Sequence, residues 1–140
     1  MKLITVGKLK DTHLEAIEKE YLKRLKTPKL EIIELKASAE NKDAEAEFIL
    51  KKLTPNDFVI TLTEWGKEFD SVAFSKWLYT KSNPVFVICG AEGPGQKLLE
   101  RSNAKLSLSK MTMPHKLARI VFVEQLYRAQ TIYEGHPYHN

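Results

Sequence analysis

The side chains best suited to chemistry crowd into the last quarter of the chain. From Ala104 it reads AKLSLSKMTMPHKLARIVFVEQLYRAQTIYEGHPYHN. Three of the four histidines lie here, His115, His136 and His139, and so do Arg119 and Arg128, set among apolar residues. An imidazole exchanges protons near neutral pH. A guanidinium holds anions such as phosphate or carboxylate. The stretch Leu108-Ser109-Lys110-Met111-Thr112-Met113 offers hydroxyls and main-chain donors and acceptors ahead of Pro114. Glu124 and Arg128 are one helical turn apart, which fits an ordinary helix ion pair as well as a role toward substrate. His136 and His139 flank Pro137, which argues against a helix presenting both to one metal ion. No metal-ligand constellation, Gly-x-Ser-x-Gly elbow or paired-carboxylate site stands out. The single cysteine, Cys89, excludes an internal disulfide and a multi-cysteine zinc site.

These groups need a scaffold, and the pattern predicts one. Lys2 to Val6 reads as a strand ended by Gly7. Thr12 with Glu15 fits a capping box, so a helix is expected from Thr12. Leu14, Ile17, Tyr21, Leu22 and Leu25 form its apolar face, and Pro28 stops it. His13 reads as a surface residue near the helix start. Lys19, Lys23, Arg24 and Lys26 line its other face, either solvated or RNA-facing. Leu30 to Leu35 is a second strand. Ala39 to Leu53 is a helix with Phe48, Ile49 and Leu53 inward. Phe58 to Leu62 is a near-continuous apolar run, as in the middle of a parallel sheet. A loop from Thr63 to Glu68 follows, and Asp70 caps a helix carrying Phe74, Trp77 and Leu78. Val85 to Ile88 is a further buried strand. After the loop Cys89 to Gly95 come a short helix to about Arg101, a last strand and a long helix.

Strand and helix alternate about five times, which predicts an α/β protein: a mostly parallel sheet with helices on both faces, in one domain over residues 1–140. In such sheets ligands bind beyond the carboxyl ends of the strands. That rule selects the loops Leu62 to Glu68, Cys89 to Gly95 and Leu108 to Pro114. The glycine loop lacks the Gly-Lys-Ser/Thr ending of a phosphate-binding loop and the Gly-x-Gly-x-x-Gly of a dinucleotide site. It remains either a ligand loop or a plain turn into a helix.

The composition, 43% apolar and 29% charged with a net charge of +4, is ordinary for a soluble domain and compatible with an anionic partner such as RNA. No apolar run approaches the roughly 18 residues of a membrane span. The first residues do not form a secretory signal. A cytoplasmic protein with no membrane association is expected. In the last helix Leu117, Ile120, Val121, Phe122, Val123, Leu126, Tyr127, Ile132 and Tyr133 surround nearly the whole circumference. Such a helix must be covered on more than one side, which predicts a homodimer.

Leu106-Ser-Leu-Ser-Lys-Met-Thr-Met-Pro-His115, Leu117-Ala-Arg119, Glu124-Gln-Leu-Tyr-Arg128-Ala and His136-Pro-Tyr-His139 closely resemble the signature of the RlmH family. These are SPOUT-class methyltransferases of large-subunit ribosomal RNA. Leu62-Thr-Glu-Trp-Gly66-Lys and Val87-Ile-Cys-Gly90-Ala-Glu-Gly93 resemble the family's other two loops. The resemblance implies a C-terminal trefoil knot and an S-adenosyl-L-methionine site formed by Leu62, Cys89, Gly90, Gly93, Leu108, Ser109, Lys110, Met111, Thr112 and Met113. It implies methylation of N3 of a pseudouridine in the decoding-region stem-loop of 23S rRNA, on the assembled ribosome. It also implies a homodimer in which the tail of one subunit lies near the cofactor of the other.

The sulfonium methyl is already activated, so the chemistry calls for no metal. The imide nitrogen must lose its proton, to a nearby base or with help from a stabilising cation. His115, Arg128, Tyr138 and His139 are the candidates: His115 and the Tyr138-His139 tail for positioning or proton transfer, Arg128 as anion or phosphate anchor. His115 could equally be a helix-start residue with a structural hydrogen bond. Cys89 stands where the family usually has the first of two glycines, so its side chain must point away from the cofactor or crowd it. Pro94-Gly95-Gln96 also departs from the family pattern. The alternatives are a non-catalytic ribosome- or RNA-binding module and a SPOUT methyltransferase acting on tRNA.

Overall fold

A computed structural model describes residues 1–37 and 41–140. In chain order the elements are β1 (Lys2–Val6), α1 (Thr12–Arg24), β2 (Glu31–Leu35), α2 (Lys42–Leu50), β3 (Phe58–Glu68), α3 (Ser71–Leu78), β4 (Pro84–Ile88), α4 (Gln96–Arg101), β5 (Ala104–Ser107) and α5 (His115–Glu134). The five strands form one sheet in the order β2-β1-β4-β3-β5, and every pairing is parallel. Parallel strands must be covered on both faces, and the alternation of side chains does this. Leu3, Ile60, Phe86 and Ile88 pack with Phe74 of α3 and Phe122, Val123 and Leu126 of α5. Ile4, Val59, Val85 and Val87 pack on the other face with Ala46 and Ile49 of α2 and Leu98 of α4.

Several local expectations are corrected. The cap of α1 is Asp11, not Thr12: its carboxylate accepts from the N–H groups of His13 and Leu14 at 2.9 and 3.0 Å. A carboxylate at this position also meets the positive end of the helix. The face of α1 turned to the protein buries Glu18, while Ile17 is exposed. The helix ends at Arg24, ahead of Pro28, because the side chain of Gln130 on α5 accepts from Lys26 and Thr27 N–H and donates to the carbonyl of Arg24. α2 begins at Lys42 under an Asn41 cap; the expected start at Ala39 lies outside the described residues. It stops at Leu50, and Phe48 is exposed rather than inward.

The largest difference concerns β3. The expected loop Thr63 to Glu68 is instead a continuation of the strand. Leu62 and Lys67 both pair with Leu106 of β5, so residues 63–66 loop out between two stretches of ladder. Gly66 makes this crossing possible. A Cβ there would stand 2.7 Å from the backbone of Lys105 and 2.8 Å from that of Leu106. Only a residue without a side chain fits.

Candidate functional site

The looped-out stretch of β3 and the loops after β4 and β5 converge on one cavity of about 820 Å³. Leu62, Thr63, Glu64 and Trp65 line it from β3; Ile88 and the loop Cys89 to Pro94 line it from β4. Leu108, Ser109, Met111, Thr112 and Met113 line it from the segment after β5, and His115 and Ala118 from the first turn of α5. Nine of the ten residues expected around a cofactor are therefore brought together: Leu62, Cys89, Gly90, Gly93, Leu108, Ser109, Met111, Thr112 and Met113. Lys110 is not among the lining residues.

Hydroxyls shape the last loop from within. Ser107 Oγ lies 3.1 Å from the carbonyl of Glu64 and 3.0 Å from that of Ser109, donating to one at a time. Ser109 Oγ accepts from Met111 N–H at 2.9 Å. These bonds hold the loop after β5 against the looped-out part of β3. Thr63 Oγ1 is buried, and no group among the described residues pairs with it. Cys89 lines the cavity as a neutral group: burial, with Glu45 nearby, pushes its thiol up to about 12.

Thr63 and Trp65 were not singled out from the sequence. The available signal was a Thr-Glu-Trp-Gly run directly beyond an apolar strand, inside a loop already selected by the strand-end rule.

The other candidates form a separate cluster. Gly135, with φ of 74°, and the bond from His136 N–H to the carbonyl of Thr131 turn the chain back along α5. Tyr138 then donates to Glu124 Oε1 at 3.0 Å. Arg128 binds Glu124 through Nη2 at 2.6 Å and Nε at 3.1 Å, and its guanidinium lies over the ring of Tyr138. Arg128 Nη1 is 3.1 Å from His139 Nδ1. A guanidinium only donates, so Nδ1 must accept and the His139 proton sits on Nε2. Burial, then bonding, raises the Tyr138 phenol, keeping its proton on the oxygen. Within one chain Arg128 and Tyr138 line neither the cavity nor its rim. His139 borders a second hollow of about 480 Å³, which shares Leu108 with the first.

His115 opens α5 at the cavity, one turn before Arg119. Arg119 is buried and bonded to Glu18 of α1 at 2.7 and 2.8 Å and to Glu34 of β2 at 2.6 Å. The start of α5 is thereby fastened to the opposite end of the chain. Lys19, Lys23 and Arg24 are exposed on α1 and Lys26 is exposed just beyond its end, with Arg24 in a loose pair with Glu20 at 3.5 Å.

A family profile described as "Predicted SPOUT methyltransferase" matches residues 1–139. The chain belongs to the SPOUT methyltransferase family. Among curated relatives it is 42% identical to the ribosomal RNA large subunit methyltransferase H of Enterococcus faecalis, over 99% of this chain and 98% of the relative. It is 42% identical to the protein of the same name in Clostridium tetani, over 98% and 97%. The namesake in Phocaeicola vulgatus is 38% identical over 99% and 97%. Both the SPOUT membership and the resemblance to RlmH read from the C-terminal signature are thus established, and they rest on the whole chain rather than on its tail. Among the described residues no group of three or more His, Cys, Asp or Glu could hold a metal, and no helix is long and apolar enough to cross a membrane.

Proposed function

We propose that this protein transfers a methyl group from S-adenosyl-L-methionine to N3 of a pseudouridine in the decoding-region stem-loop of 23S rRNA. In this reading it acts on the assembled ribosome, in the cytoplasm, as a homodimer of single-domain subunits with a C-terminal trefoil knot. The observation that carries the reading is the cavity where the looped-out stretch of β3 meets the loops after β4 and β5. The near full-length relatives named as large-subunit rRNA methyltransferases support the choice of acceptor.

The residues present fit the methyl donor. A volume of about 820 Å³ suits a ligand of nucleoside-plus-amino-acid size. Leu62, Ile88, Leu99 and Leu108 give apolar walls, and Ser109 and Thr112 add polar side chains to the lining. Bound there, the donor supplies an activated methyl group. The chain's own task is then alignment and removal of one proton, and close alignment alone provides much of the acceleration. In this reading His115, which lines the cavity and is exposed, accepts the N3 proton. Arg128 is held by Glu124, Tyr138 and His139 and serves as an anchor for the anionic acceptor.

The dimer brings these groups together. Exposed Leu117 on α5 and Val72 on α3 leave apolar surface beside the second hollow, which Val121 and His139 also line. A second subunit packed there covers this surface and carries its own tail toward the neighbouring cavity. Calorimetry with S-adenosyl-L-methionine tests donor binding. Heat of binding at or below millimolar ligand is expected, and its absence would favour a binding module without catalysis. A sedimentation run returning a clean monomer at micromolar concentration would remove the dimer.

A further inference from the structure

Trp65 stands apart from the other aromatic residues of this chain. It lines the cavity, yet 63% of it is exposed. Trp77, by contrast, packs against Phe58, Phe69 and Phe74. Among the described residues Trp65 has no ring partner. Its backbone is tethered on both sides. It lies in the segment 63–66 that loops out of the ladder between Leu62 and Lys67, and its neighbour Gly66 is pressed against the backbone of β5. A looped-out segment re-aims a side chain, and strand ends beside active sites use such segments in this way. The result is an indole that borders the cavity with most of its surface open.

We infer that Trp65 is a stacking platform for a nucleobase of the acceptor RNA, held unstacked at the mouth of the cavity. The inference rests on the proposed methyltransferase reading. A base inside a helix cannot present N3 to a donor in a cleft, so it must leave its stack. Single-stranded bases are then held on aromatic faces. The backbone tether keeps the ring beside the cavity, where a base can land on it. Trp65 is a positioning residue: it presents the acceptor and takes no part in proton transfer.

The test uses the full chain and ribosomes from a strain lacking this gene. Trp65→Ala, Trp65→Leu and Trp65→Phe are compared with wild type for kcat, KM for ribosomes, and the Kd for S-adenosyl-L-methionine by calorimetry. Stacking on an aromatic side chain implies a rise in KM of about tenfold or more for Trp65→Ala. The donor Kd stays within about twofold if the ring does not touch the donor. Trp65→Phe recovers most of the loss. Trp65→Leu, with bulk but no π-face, does not.

Unchanged KM in the alanine variant would overturn the inference. So would a parallel loss of donor affinity, which would put the ring on the donor's adenine, or a shift of that variant to monomer, which would make it a subunit contact. Wild-type protein that binds no donor or leaves ribosomes unmethylated would overturn the methyltransferase reading itself, and is seen separately in the same experiment.

Discussion

Arg119 and Arg128 sit on one helix, in one apolar stretch, and carry the same charge. Their surroundings divide them. Arg119 is bonded to carboxylates from two other elements, Glu18 of α1 and Glu34 of β2, and its side chain is 7% exposed. Arg128 is bonded to Glu124 one turn back on its own helix and to the tail that folds over it, and its side chain is 26% exposed. Burial works against the Arg119 charge, but its bonds to Glu18 and Glu34 overcome this and raise its pKa. For Arg128 the bond to Glu124 is the main cause of a raised value. Both therefore stay charged, but they do different work. The first ties the head of α5, with His115 and the cavity, to the N-terminal half. The second is a partly exposed cation held by its own helix and the tail, and in the proposed function it anchors the anionic acceptor.

Breaking each arginine should expose this difference. Arg119→Ala leaves Glu18 buried with no counter-charge, a change that costs about 3–5 kcal/mol. Urea denaturation should show a loss of that size, with donor binding weakened because α5 loosens at its head. A loss below about 1 kcal/mol would erase the distinction between the two arginines. Arg128→Ala should leave stability within about 1 kcal/mol, since a partly exposed pair on one helix contributes little. Its methyl transfer to ribosomes should fall about a hundredfold, as when one preorganised electrostatic donor is removed. Equal losses of stability and rate would make Arg128 structural as well.

A smaller effect sharpens the picture at the far end of α5. Tyr79 stacks on Tyr133 at 3.9 Å and donates to the carbonyl of Thr27 at 2.7 Å. Burial first, then Glu134, pushes its phenol from 10 up to about 12. The folded state thus holds this proton more tightly than the unfolded chain. The contribution is fully present below pH 10 and is lost as pH rises toward 12. With the group partly open to solvent it should amount to about 1 kcal/mol. Tyr79→Phe should flatten the stability profile in that window, measured by thermal unfolding at stepped pH.

Much of the scaffold was legible because it is local. The alternation of strands and helices, the Asp70 cap and the loops after β4 and β5 follow from patterns a few residues long. The two arginines could not be told apart that way. Glu18 lies 101 positions from Arg119, and only the packed fold makes that glutamate inward-facing and Ile17 exposed. The extension of β3 was hidden for the same reason: its partner Leu106 comes about forty residues later, and Thr63 to Glu68 has no strand-like alternation of its own. Asp11 displaced Thr12 as cap because a carboxylate one residue earlier reaches two N–H groups. At the site, the loops could be chosen from the sequence, but the separation of the tail cluster from the cavity within one chain could not.

The most direct test of the central claim is methyl transfer itself. Ribosomes from a strain lacking the gene are incubated with the purified protein and isotope-labelled S-adenosyl-L-methionine, and the RNA is digested and read by mass spectrometry. Label confined to a single N3-methylpseudouridine of 23S rRNA is the predicted result. Label appearing only in tRNA, or no label despite donor binding, would contradict it.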